Sequence, residues 1–392
     1  MKNYTHTLVA SFVGYITQAI INNFVPLLFL TFQSTYDIPL SKITLLVTIN
    51  FGVQLLVDLL AAHYVDKIGY RKAIIAAHIF AAAGLAGLGF LPELFSDPYI
   101  GILLAICLYA VGGGIIEVLI SPIVEACPTS KKSAVMSLLH SFYCWGHMLV
   151  IIVSTLFFVS FGINNWRILA YVWAIIPLLN ALYFTQVPIN TLHEEGESFS
   201  IKKLFSMKLF WIFIVLMVCA GASEQAMSQW ASVFAEAGLQ VSKTVGDLAG
   251  PCFFAATMGI ARVFYSKFSE KIELQKFMMG SSVLCIISYL IAVFSPYPVL
   301  GLIGCGLCGL SVGILWPGTF SLASEKCPRG GTAMFAFFAL AGDLGCSAGP
   351  TVVGMVSSAL DGSIKAGLLT AIIFPIVLII GLLACQRATK RI

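Results

Sequence analysis

Long apolar runs alternate with short polar breaks along the whole chain. A helix needs about 20 mainly apolar residues to cross the hydrocarbon core of a bilayer. Runs of that length fall near residues 6–32, 42–65, 71–91, 98–124, 133–161, 165–187, 208–237, 244–268, 274–294, 297–324, 331–359 and 364–386. The pattern predicts an all-α membrane protein with twelve transmembrane helices. The breaks are short except for the stretch 188–207, which carries Glu194, Glu195, Glu197, Lys202 and Lys203. That stretch divides the chain into an N-terminal six-helix bundle (1–187), a linker (188–207) and a C-terminal six-helix bundle (208–392).

Composition agrees with a bilayer as the solvent. Of 392 residues, 59% are hydrophobic and 10% charged, against about 45–50% and 25% in soluble domains. A soluble fold this apolar would leave large greasy patches in water, whereas lipid-facing positions should be apolar. Lys2 precedes an apolar run, as in a secretory signal, but the run continues past Asn22 and Asn23 to about Phe32 without a small-residue cleavage site. A first membrane helix is therefore expected. The 11 cysteines fall mostly inside apolar runs and read as small buried hydrophobes rather than a disulfide framework. Cys305 and Cys308, in the glycine-rich run 301–313, read as helix packing rather than a redox or metal pair.

Charge then sets the orientation. With both termini cytoplasmic, 17 of the 22 Lys and Arg residues fall on the inner side. Lys42, Arg167, Lys243 and Lys365 fall outside, and Arg262 lies within a span. Lys and Arg resist translocation, so this asymmetry fixes the expected topology. The minimal loops suit a bacterial plasma membrane. The halves also repeat each other. Val65-Asp66-Lys67-Ile68, ending in Lys72, matches Ser269-Glu270-Lys271-Ile272, ending in Lys276, at an offset of 204 residues. Glu125-Ala126-Cys127-Pro128 matches Glu325-Lys326-Cys327-Pro328 at an offset of 200. Parallel six-helix repeats mark transporters whose halves rock about a central site.

The loop after the second span, Asp66-Lys67-Ile68-Gly69-Tyr70-Arg71-Lys72, resembles the cytoplasmic D-[RK]-x-G-x-[RK]-[RK] motif of the major facilitator superfamily. Ala62 stands where that motif usually has Gly four positions earlier. A narrower resemblance is to the fucose/galactose/glucose:proton symporter group. Its residues are Gly112-Gly113-Gly114-Ile115-Ile116-Glu117, Leu138-Leu139-His140-Ser141-Phe142, Glu224 followed by Trp230, and Trp316-Pro317. The group usually has Asn four residues beyond the acid, where this chain has Ser121. The resemblance implies two pseudo-symmetric bundles, a monomer, and a hexose or related sugar moved with a proton.

Ionisable groups inside spans are costly, by about 2.5–3.5 kcal/mol on insertion scales, and are functional candidates. Asp58, Glu117, Glu224, Arg262 and Asp343 qualify. Glu117 lies eight residues before Glu125, about 12 Å in from the helix end. Burial raises the pKa of a carboxyl, which suits uptake and release of a proton, so Glu117 is expected to couple the cation. Asp343 is a second candidate, for cation coordination or for pairing with Arg262. Glu224, Gln225, Ser228 and Gln229 put carboxylate, amide and hydroxyl groups on one stretch of the seventh span. Such a surface suits a polyol, with Trp230 stacking on the apolar side of a sugar ring, and the resemblance adds Trp316 to the substrate set. Gln18 and Asn22, one turn apart, and Asn23 add amides in the first span; they face either a substrate cavity or a packed interface. His140 joins the substrate set. Asp58 and Arg262 are equivalent under the 204-residue offset and form either a gate between the halves or part of their own half's loop network with Asp66 and Arg71.

Other chemistry has no support in the chain. There is no G-x-x-x-x-G-K-[ST] phosphate loop, no H-E-x-x-H and no G-x-S-x-G. No enzyme, metal or cofactor is expected, only a coupling ion, H+ or Na+. Basic residues line the membrane's inner face, so the net charge of +4 implies lipid rather than nucleic acid as the partner. The expected function is alternating-access transport of a small polar solute. The alternatives are a proton-coupled exporter of amphipathic compounds and a non-transporting sensor with a transporter fold.

Overall fold

The structure, a computed structural model, describes residues 4–128, 132–190, 199–268, 271–327 and 329–389, with side chains except at 61–67, 125, 132–134, 136–137, 266, 324, 331–333, 335–336 and 389. Twelve helices among the described residues are long and apolar enough to span a membrane. In chain order they are α1 (Thr5–Tyr36), α2 (Leu40–Leu60), α3 (Tyr70–Leu94), α4 (Pro98–Val124), α5 (Leu138–Phe161) and α6 (Ile163–Gln186). The second set comprises α7 (Lys208–Gly238), α8 (Lys243–Tyr265), α9 (Leu274–Phe294), α10 (Pro298–Ala323), α11 (Phe337–Ala359) and α12 (Ile364–Ala388). The expected all-α fold is thus present. α1 outruns its expected end at Phe32 because the polar residues Gln33–Tyr36 stay helical, and the turn comes only at Asp37, at φ 53°. Hydropathy falls before the helix stops; a short polar residue in the left-handed region stops it.

The chain forms two compact units, Met1–Glu194 and Glu195–Ile392. The same packing recurs in each. In the first, α1 packs on α5, α2 on α4, and α3 on α4 and α6. In the second, α7 packs on α11, α8 on α10, and α9 on α10 and α12. The sequence repeat is therefore a repeat of helix contacts. Large apolar side chains such as Leu56, Leu179 and Ile380 are exposed on the helix surfaces, as lipid-facing positions require.

Three local features position the candidate site. Gly112, Gly113 and Gly114 step round α4 by about 100° each and face three different neighbours. A Cβ on Gly112 would meet Ala81 of α3, one on Gly113 would lie 3.1 Å from both Gln18 Oε1 and Gln54 Oε1, and one on Gly114 would lie 2.9 Å from the Gln54 carbonyl of α2. Secondly, Gly69 between α2 and α3 has φ 89°, which explains the glycine of the loop motif. Thirdly, α10 is interrupted: its helix stops at Val312 and resumes at Leu315.

Within the stretch expected as a linker, Ile201–Ser206 is a short helix whose first turn is capped by Ser200, accepting from the Lys203 N–H. Phe205 of this helix packs edge-on against Trp211 and Phe337, 5.3 and 5.2 Å away, which seats it on the second unit. All 11 cysteines are free thiols, and every one except the half-buried Cys107 is buried.

Candidate functional site

The first unit gathers amides from two helices around one carboxylate from a third. Gln18 of α1 donates from Nε2 to Gln54 Oε1 of α2 at 2.8 Å and to Glu117 Oε2 of α4 at 3.1 Å. Gln54 Nε2 donates to Asn22 Oδ1 at 3.0 Å and to Asn50 Oδ1 at 3.1 Å. Asn50 Nδ2 in turn reaches Asn22 Oδ1 at 3.2 Å. Gln18, Asn22, Asn50 and Gln54 are each at most 5% exposed. Two helical pairs, Gln18/Asn22 and Asn50/Gln54, thus interlock at one-turn spacing. The missing side chain of Gly113 leaves room for two carboxamide oxygens at once. Asp58 follows one turn after Gln54 and is buried as well.

Asn50 and Gln54 were not singled out from the sequence, although they carry the same signal as Gln18 and Asn22, two amides one turn apart in an apolar span. Asn23 points away from this cluster. Its Nδ2 donates to the Ala19 carbonyl at 2.9 Å and to the Tyr143 hydroxyl of α5 at 3.3 Å. His140, half-buried on α5, meets the ring of Tyr15 edge-on at 5.3 Å. The Tyr15 hydroxyl lies 3.3 Å from Ser121 Oγ, so the serine that replaces the expected Asn has a partner on α1.

In the second unit the polar stretch of α7 organises around an ion pair. Arg262 NH2 of α8 lies 3.3 Å from Glu224 Oε2, with both side chains largely buried. Gln225 Nε2 reaches Glu224 Oε1 at 3.4 Å, and Gln229 Nε2 donates to Gln225 Oε1 at 3.1 Å. Ser228 is buried on the same helix. Arg262 was expected either to gate against Asp58 or to join a loop network. It pairs with Glu224 inside its own unit, because one turn of α8 beyond Met258 brings its guanidinium to the level of Glu224. The Trp230 ring is fully buried, and its indole N–H donates to the Pro350 carbonyl of α11 at 2.9 Å. Trp316 is half-buried and lies over Gly342, where any Cβ would strike its ring. Asp343, the next residue on α11, is buried.

Of the loop residues, Asp66 falls among the side chains outside the described residues. Arg71 donates to three carbonyls at the end of α6, those of Phe184 (2.7 Å), Thr185 (2.9 Å) and Val187 (2.7 Å). Its role is to cap a helix C-terminus, where carbonyls lack partners and the helix dipole favours a cation. A further ionic cluster joins the end of α7 to the start of α8, and the sequence reading missed it. Lys243 Nζ lies 3.1 Å from Glu236 Oε1 and 3.0 Å from Asp247 Oδ2, and Ser232 Oγ donates to Asp247 Oδ1 at 2.5 Å. Among the described residues no group of three or more His, Cys, Asp or Glu could hold a metal ion.

The family model described as Major Facilitator Superfamily matches residues 7–350 of the chain. The chain belongs to the Major Facilitator Superfamily. It is accordingly a membrane transporter and not an enzyme. Among solved structures, a bacterial homolog of the human lysosomal transporter Spinster, inward-facing and unoccupied, superposes with a TM-score of 0.78 at 13% identity over 99% of this chain and 98% of that one. A D-xylose-proton symporter gives 0.75 at 13% over 98% and 97%. The fucose:proton symporter FucP of E. coli gives 0.67 at 17% over 98% and 99%. At these identities the likeness is one of fold. By sequence, no curated protein matches the chain.

Proposed function

We propose that this superfamily member moves a small polar solute, a hexose or related sugar, by alternating access coupled to proton entry. The observation that carries this reading is the cluster of Gln18, Asn22, Asn50, Gln54 and Glu117. A sugar hydroxyl both donates and accepts, and a set of carboxamides offers both functions with no fixed charge. Gln18 Oε1 is buried and accepts no hydrogen bond from the described residues, which suits an incoming hydroxyl donor. Glu117, at the edge of the cluster and half-buried, is the coupling carboxylate in this reading. Protonation would exchange an acceptor for a donor beside Gln18 and so link solute contacts to the proton. A fucose:proton symporter and a D-xylose-proton symporter are among the solved structures of this fold, which adds support at the level of fold. Sodium is the alternative ion. Against the exporter reading, the cluster is polar and tightly bonded rather than greasy.

The test is uptake of labelled hexoses into proteoliposomes under separately imposed pH and sodium gradients, for wild type and Glu117→Gln. Accumulation is expected with the pH gradient alone. In Glu117→Gln, accumulation should cease while solute exchange at equal pH persists. Uptake that follows sodium would replace the proton in this scheme, and no gradient-driven uptake of any hexose would end the sugar reading.

A further inference from the structure

We propose that Arg262 is a positioning residue that ties the occupancy of Glu224 to the break in α10. The break has a local cause. In a continuous helix the Gly313 carbonyl would accept from the N–H four residues on, but that residue is Pro317, which has none. A carbonyl left without a partner in an apolar setting is costly. Arg262 Nε supplies the missing donor at 3.2 Å, from the neighbouring helix. The same guanidinium holds Glu224 Oε2 through NH2. One side chain therefore satisfies the broken point of α10 and neutralises a buried acid of α7.

Packing explains how Arg262 reaches both. α8 lies against α10 with almost no side chain between them at this level. A Cβ on Gly313 would stand 2.9 Å from the Met258 carbonyl and 2.8 Å from Ala261 Cβ. Two turns higher, Thr257 Oγ1 donates to the Gly306 carbonyl at 2.6 Å. The first part of α10, up to Val312, is thus fastened to α8 by backbone contact. The part from Leu315 onward lies beyond the break, and Arg262 holds the Gly313 carbonyl at the break itself. When Glu224 turns to a solute or cation, its hold on NH2 weakens. The guanidinium can then leave the Gly313 carbonyl, and the second part of α10, with Trp316 on it, is released to bend. Ligand contact by Glu224 is taken here from its place on the polar stretch of α7, and the inference rests on the transport reading above.

The test uses hydrogen–deuterium exchange on the full-length purified chain, read in peptides covering residues 309–322, with α9 peptides (274–294) as the internal control for folding. No solute is needed. Arg262→Gln should raise exchange in the 314–320 segment about tenfold, and Glu224→Gln should raise it in the same direction. Arg262→Lys, which keeps the charge but lacks the fork that spans two acceptors, should give an intermediate rise. Pro317→Ala restores an N–H for the Gly313 carbonyl. It should slow exchange in the segment and remove most of the Arg262→Gln effect in the double variant. Unchanged exchange in Arg262→Gln or Arg262→Lys with intact α9 peptides would overturn the proposal. So would an Arg262 effect of equal size in the Pro317→Ala background. A chain that shows no hexose uptake but the expected exchange pattern would refute the solute assignment and leave the Arg262 linkage standing.

Discussion

Both N–H groups of Gln54 find acceptors, on Asn22 and Asn50, and its Oε1 accepts from Gln18. Replacing it with Leu would take the partner from Asn50 Oδ1 and from one N–H of Gln18, while Asn22 Oδ1 keeps Asn50 Nδ2. Each buried polar atom left without a partner costs about 1–3 kcal/mol of stability. Gln54→Leu should therefore lower the thermal midpoint of the solubilised protein by several degrees, at about 2–4 °C per kcal/mol. Gln54→Glu tests the other half of the argument: it keeps the acceptor for Gln18 but loses both donations, and should recover little. At this scale the sequence was legible wherever a polar group stands out against an apolar run. Gln18, Asn22, Glu117 and Glu224 were readable on that ground. The N–H partner of Trp230 was not, because an aromatic residue in a span has the same appearance whichever group its N–H bonds. The partner of Arg262 was hidden for a related reason, since periodicity gives the depth of a residue in its span but not which neighbouring helix it faces.

The helices carry their own tests. Arg71 closes the last turn of α6 with three charge-assisted bonds, each in the class worth about 1.5–3 kcal/mol. Arg71→Ala should fray that turn and lower the thermal midpoint of the solubilised protein by several degrees, at about 2–4 °C per kcal/mol for a unit of this size. Arg71→Lys should restore less than half of the loss, since one ammonium cannot fan out to three carbonyls as the guanidinium fork does. The sequence showed that an Arg belongs in this loop through its likeness to a family motif, but not what the Arg touches. The reverse holds for α10. Pro317 shows from the sequence that the Gly313 carbonyl lacks its helical donor, whereas the donor that replaces it lies 55 positions earlier in the chain.

For the molecule as a whole, the number of spans, the twofold repeat and the class were all legible, because lipid imposes length and polarity on every segment alike. The recurrence of helix contacts in the two units gives the 200- and 204-residue offsets a physical meaning. Orientation follows from the basic residues and is open to a direct check. The turn between α9 and α10 should face outward, and Tyr297 within it is well exposed. A Tyr297→Cys variant in intact cells should react with a membrane-impermeant maleimide without permeabilisation. Protection until the membrane is opened would invert the topology.

The seclusion of the native thiols simplifies that check. Ten of the eleven cysteines are buried and the remaining one is half-covered on α4. A thiolate forms and reacts only where water reaches the sulfur. The wild-type chain therefore serves as its own cysteine-light background. Reporter thiols, spin labels or fluorophores can be installed at exposed turns without first replacing residues that fill the helix interfaces.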